Sequence, residues 1–218
     1  MLRDHLKDNR SKILRNKVAQ EAALLLYTSQ EKEYKQAKKR ASLNLGIRVF
    51  PSNLEVAQEI DRLSEEREGT KREELLLRMR MEAKELMEHL KMFNPSLVGS
   101  VWRGTVHQNS DIDIQTFSQD NQDILEKLHK QKYKINSSEW RSITKEGKNV
   151  SSFHIQIILP SNDIVEVSVR SLDHLGELER CEIYGDTKKG LNLKQLSRIL
   201  KENPLQKFLP EQKIVRNK

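Results

Sequence analysis

The sequence predicts an α+β fold: a small mixed β-sheet with flanking helices, preceded by an N-terminal helical region. Three observations carry this. Residues 2–45 contain no proline and no glycine and hold apolar residues at three- and four-residue steps, the period of an amphipathic helix. Short alternating runs follow at 111–114, 153–159 and 164–169, the period of strands. Helical patterns then stand before and between those runs, so helices and strands share one core.

In chain order, Ala19, Ala22, Ala23, Leu26 and Tyr27 form a stripe that Tyr34, Ala37, Ala41 and Leu45 continue, with Gly46 as its stop and a break expected near Asp8–Ser11 or Thr28-Ser29. Tyr27 and Tyr34 suit a core with wet hydroxyls, or base stacking. Ser52 with Glu55 makes a capping box for a helix with Val56, Ile60 and Leu63 inward and Gly69 at its end. Thr70 with Glu73 repeats the device for a third helix from about Lys71 to Phe93, with Leu75, Leu76, Met79, Leu86, Leu90 and Phe93 inward, stopped by Asn94-Pro95. A strand follows at 96–99. Asp120–Lys132 reads as a helix, and Ile135–Lys148 as a twisted strand with a turn at Gly147. Phe153–Leu159 and Ile164–Val169 flank the turn Pro160–Asp163 and read as a hairpin. Leu172–Glu182 is amphipathic and expected helical, Asn192 caps a helix through Leu200, and the basic tail 205–218 is expected to be loosely ordered. These elements divide the chain into a helical region at 1–70, a core at 71–175, and C-terminal helices with the tail at 176–218.

Composition limits the class. The chain of 218 residues has a net charge of +7, 33% charged and 5% aromatic residues, so its core is aliphatic. The positive charge lies at the two ends, residues 1–50 and 201–218, a distribution that admits a nucleic-acid partner through the basic N-terminal helix and C-terminal tail; solvated lysines on a long helix explain it equally. One cysteine, Cys181, excludes an intrachain disulfide and suits a reducing, cytoplasmic setting. No apolar run approaches the ~20 residues of a membrane span. The histidines show no ligand spacing for zinc, and no Walker-type loop is present.

The chemistry concentrates in Asn94–Ser118. Apolar Leu97 and Val98 run into Gly99-Ser100, and Ser110-Asp111-Ile112-Asp113-Ile114 follows ten residues later. Strand alternation puts Asp111 and Asp113 on one face, about 7 Å apart, where two carboxylates can share a divalent cation. Gly99 lets the backbone approach a ligand, and Ser100 offers a hydroxyl and an amide at the start of a short helix, where phosphate suits. Glu166, flanked by Val165 and Val167, is a charge in the middle of a strand that needs a reason. His154 and Gln156 face the same way on the neighbouring strand.

Gly-Ser, ten residues and Asp-x-Asp, with Ser110 before the first acid and Arg103-Gly104 between, resemble the signature of the DNA polymerase beta-like nucleotidyltransferases. The stretch is similar to the minimal nucleotidyltransferase domains and to the motif block of archaeal CCA-adding enzymes, although the chain lacks the further domains of the latter. The resemblance implies transfer of a nucleoside monophosphate from a nucleoside triphosphate such as ATP, with release of pyrophosphate. It implies two Mg²⁺ or Mn²⁺ ions on Asp111, Asp113 and a third acid. It also implies phosphate contacts from Gly99 and Ser100, with Arg103 as a further charge. The third acid is most simply Glu166 where the family usually carries Asp, with Asp163 in the preceding turn as its rival. The alternative is a catalytically silent nucleotide- or nucleic-acid-binding protein on the same fold. The acceptor, whether RNA, protein or small molecule, is not specified by these residues.

Overall fold

The computed structural model describes the backbone of residues 2–145 and 148–210, so the turn expected at Gly147 and the tail from 211 onward lie outside the described residues. The chain is an α+β protein with seven helices and a six-stranded mixed sheet among the described residues. It divides into two compact units, one helical and one built on the sheet. No described helix is long and apolar enough to cross a membrane.

The helical unit comprises residues 1–72 with two short excursions, 107–109 and 180–186. Helices α1 (Leu2–Tyr27), α2 (Tyr34–Leu45) and α3 (Asn53–Glu68) pack along a seam of small residues, Val18, Ala19, Ala22, Ala23, Ala37, Ala41, Val56 and Ile60. Small side chains there let the helix axes approach closely. The break between α1 and α2 falls at residues 28–33, and Gly46 closes α2 at φ 64°, a left-handed conformation that glycine adopts freely. Ser52 and Glu55 form the expected capping box of α3. Tyr27 is buried: its ring lies 5.8 Å from that of His107, with the Arg67 guanidinium 5.3 Å from its centroid. Asn109 Nδ2 donates to the Tyr27 carbonyl at 2.8 Å, and the Gln108 amide donates to Glu68 at 3.0 Å. These bonds hold the excursion 107–109 on the helices. The second excursion is held by Asn53 Nδ2 on the Glu182 carbonyl, and Cys181 is buried within it.

The sheet has the order β3-β4-β5-β2-β1-β6, with β1 at Ser96–Val98, β2 at Ile112–Phe117, β3 at Lys134–Lys145, β4 at Lys148–Ile158, β5 at Ile164–Arg170 and β6 at Leu191–Asn192. Only β2 and β5 run parallel; the other pairs are antiparallel. One face is apolar: Leu97, Ile112, Ile114, Ile155, Ile157, Val165 and Val167 are buried. Packed with them in one core are Leu76, Met79, Leu86 and Leu90 of α4 (Thr70–His89 and its following residue), Val101 of α5 (Gly99–Arg103), Ile124 and Leu128 of α6 (Asn121–Lys130), and Leu196 and Ile199 of α7 (Leu193–Glu202). The opposite face carries the polar residues of every strand.

Three segments differ from the sequence reading. Residues 172–182 are not a helix: one 3₁₀ turn, Leu172–His174, gives way at Gly176 (φ 90°), and Leu172, Leu175 and Leu178 are exposed. The apolar period there has no surface to bury against, and packing rather than propensity supplies most helical stability. β6, too short for any periodic signal, pairs with β1. The start of the tail is fixed rather than loose. The buried Arg80 donates to the carbonyls of Val101, Trp102, Pro204 and Gln206 at 2.6–3.1 Å. Burial lowers the Arg80 pKa to about 10.

Candidate active site

β1 ends at Val98, and the chain turns sharply into α5 at Gly99, whose φ is 68°. A Cβ on Gly99 would stand 1.9 Å from Asp113 Oδ2. Asp113 therefore occupies the space that the missing side chain leaves, and any other residue at 99 would push it out. The register sets Val98 opposite Asp113 on one side and Glu166 opposite Asp113 on the other. Cross-strand partners share a face, so Asp113 and Glu166 stand together on the polar face with Gln156, the partner of Glu166 on β4. Asp111 lies just before β2, two residues from Asp113, and Ser100 begins α5; both are partly buried.

The electrostatics record this crowding. Burial, then the charges of Glu166 and Asp111, push the Asp113 carboxyl up to about 7, against opposing effects of Lys188 and His154. Glu166 is displaced the other way. Its pKa is lowered first by the hydrogen bond from His154 and then, against desolvation, by the charge of Arg141. Its Oε1 accepts from Arg141 Nη1 at 2.7 Å and from His154 Nδ1. His154 Nε2 lies 2.7 Å from Ser152 Oγ, so the imidazole bridges a hydroxyl and a carboxylate.

Of the residues singled out from sequence, the fold brings Gly99, Ser100, Asp111, Asp113 and Glu166 to one end of one face. Asp163 is placed elsewhere, in the β4–β5 turn, where Arg78 Nε and Nη2 grip its carboxylate at 3.0 Å each. Arg103 is buried. Its Nη1 donates to the Phe208 carbonyl at 3.0 Å, its own carbonyl accepts from the Phe208 amide at 2.9 Å, and its guanidinium lies 4.2 Å from the Trp102 ring centroid. It secures the chain near 208 rather than presenting a charge beside Ser100. Lys188 and Arg141 escaped the sequence reading. Neither sits in a motif, although the Gly190 that follows Lys188-Lys189 is a signal of close backbone approach.

Hard carboxylate oxygens, one of them on a carboxyl raised by its acidic neighbours, suit a divalent cation. The side chains have not converged on one: among the described residues no three His, Cys, Asp or Glu side chains are gathered closely enough to hold a metal ion. Glu166 is turned instead to Arg141 and His154.

Residues 80–159 match the family model described as Nucleotidyltransferase domain. That span holds Gly99, Ser100, Asp111, Asp113 and His154; Glu166 and Lys188 lie beyond it. No curated protein and no solved structure matches the chain. With the Gly-Ser turn set directly against the Asp-x-Asp strand inside the matched span, residues 80–159 of this chain are a nucleotidyltransferase domain, consistent with the DNA polymerase beta-like kind.

Proposed function

We propose that the protein transfers a nucleoside monophosphate from a nucleoside triphosphate to a hydroxyl, releasing pyrophosphate, in a reaction that depends on Mg²⁺ or Mn²⁺. The observation that carries this reading is the row Gly99–Asp113–Glu166, in which a side-chain-free turn adjoins two facing carboxylates on adjacent strands. Asp111, Asp113 and Glu166 would hold the metal, two ions by the family resemblance. Bound there, metal supplies neutralisation of the triphosphate and a more acidic acceptor hydroxyl. Gly99 leaves room for phosphate oxygens, and the Ser100 hydroxyl and amide are the donors beside them. Glu166 orients the acceptor hydroxyl, and His154 and Arg141 hold the Glu166 carboxylate in place. The basic ends of the chain suit an RNA acceptor, and the single cysteine suits the cytoplasm.

The test incubates the protein with each α-labelled triphosphate, Mg²⁺ or Mn²⁺, and RNA and protein extracts. Label is expected on one acceptor class with the wild type and on none with Asp113→Asn. Calorimetry supplies the binding arm: triphosphate affinity is expected to be weak in EDTA and clear in Mg²⁺, because the acids repel the triphosphate until a cation bridges them. Equal affinity in both would sink the site.

A further inference from the structure

We propose that Lys188 is the cation that receives the β- and γ-phosphates of the bound triphosphate and the pyrophosphate that departs, an inference that rests on the reading above. The argument starts from the sheet edge. β6 pairs with β1 at Leu97↔Leu191 and Ser96↔Asn192, so one step further Gly190 lies beside Val98, the cross-strand neighbour of Asp113. Gly190 is buried with φ at 61°, and a Cβ there would stand 2.4 Å from Ser96 Oγ and 3.2 Å from Val98 Cγ1. Its backbone thus lies flat against side chains of the polar face. Alternation returns the residue two places earlier to that same face, and that residue is Lys188, at the Gly99-Ser100 end.

Lys188 is exposed at its tip and anchored at its root. Its amide donates to the Glu179 carbonyl at 2.8 Å, and Nζ lies 3.6 Å from Glu179 Oε2. An exposed pair at that distance binds weakly, so the ammonium is available to a stronger anion. Its charge is the leading one that offsets the acidic neighbours of Asp113, which places it within reach of the acids. The other nearby cations are committed: Arg141 and His154 to Glu166, and Arg103 to Phe208. A triphosphate carries about four negative charges into a site already lined by three acids, and its far phosphates need a positive partner. In the transfer, the acceptor oxygen bonds to the α-phosphorus and the bond from that phosphorus to the α–β bridging oxygen breaks. The electron pair leaves with pyrophosphate, the hydroxyl proton passes by way of Glu166 to solvent, and Lys188 meets the charge that grows on the leaving group.

The experiment measures binding of ATP and of inorganic tripolyphosphate, each with Mg²⁺, by calorimetry on the full chain. Lys188→Ala is expected to weaken both tenfold or more while leaving Mn²⁺ binding and the unfolding temperature unchanged, and Lys188→Arg to restore most of the loss. Lys189→Ala, on the opposite face by the same alternation, is expected to stay within twofold of wild type. A Lys188→Ala protein that binds both ligands as the wild type does would overturn this inference alone. A wild type that binds neither would overturn the nucleotidyl-transfer reading and this inference with it.

Discussion

At Gly99 a hydrogen stands where any other residue would drive a methyl group into the carboxylate of Asp113, and the backbone there is left-handed. Gly99→Ala therefore combines a conformational cost of about 1 kcal/mol with displacement of Asp113. The expected outcome is a lower unfolding temperature together with loss of metal-dependent nucleotide binding, read by calorimetry; unchanged binding would mean that the carboxylate has room to move. Glu166 and Asp163 separate at the same scale. Glu166 faces Asp113 across a parallel strand pair, whereas Asp163 is paired with Arg78 in a turn. Glu166→Gln is expected to cut turnover by orders of magnitude with little change in triphosphate affinity, since its place is on the acceptor side. Asp163→Asn should leave turnover near wild type and cost no more than a partly exposed ion pair, about 1 kcal/mol. Kinetics showing the reverse pattern would move the site to Asp163.

Elements differ in how much of themselves the sequence displays. Gly99-Ser100 and the Asp pair were legible because their spacing is local and the alternation of β2 puts both Ile112 and Ile114 in the core. Glu166 was legible from the valines on either side. The partners of Glu166 were not: Arg141 lies 25 residues away, in a strand whose polar sequence gives no period, and pairing register decides whether it reaches. β6 and the segment 204–208 are likewise products of tertiary contact. Arg80 shows the reason, since an arginine within an amphipathic helix reads as a surface residue until the carbonyls around it are known. Four carbonyls from α5 and the 204–206 segment converge on that one guanidinium. Arg80→Met fills the volume but leaves buried acceptors without donors, and a loss of roughly 3–5 kcal/mol is expected in denaturant unfolding. A loss below about 1 kcal/mol would show that water replaces the guanidinium.

The whole molecule is stitched from a chain that twice leaves the sheet unit for the helical one, at 107–109 and 180–186. The first excursion makes stability depend on acidity. Burial lowers the pKa of His107 from 6.5, with Glu68 opposing and Arg72 assisting, and its Nδ1 accepts from the Asn109 amide at 3.2 Å. As pH falls below 6.5 the unfolded chain takes up this proton before the folded one does, so stability present above that pH is lost on acidification, by up to about 1.4 kcal/mol per unit. Thermal unfolding between pH 7.5 and 5.5 is expected to show the decline in the wild type and a shallower one in His107→Gln; parallel curves would exclude His107 as its source. The sheet order carries a consequence for how the molecule comes to exist. Asp113 meets Glu166 across 53 residues of chain, but Leu97 meets Leu191 across 94. Closing a longer loop costs more entropy and comes later, so the carboxylates gather on the nascent sheet before β6 brings Lys188 to them. During that interval a dissolved divalent cation is the available counter-charge, and refolding in Mg²⁺ would outpace refolding in EDTA even for a protein that never meets a nucleotide.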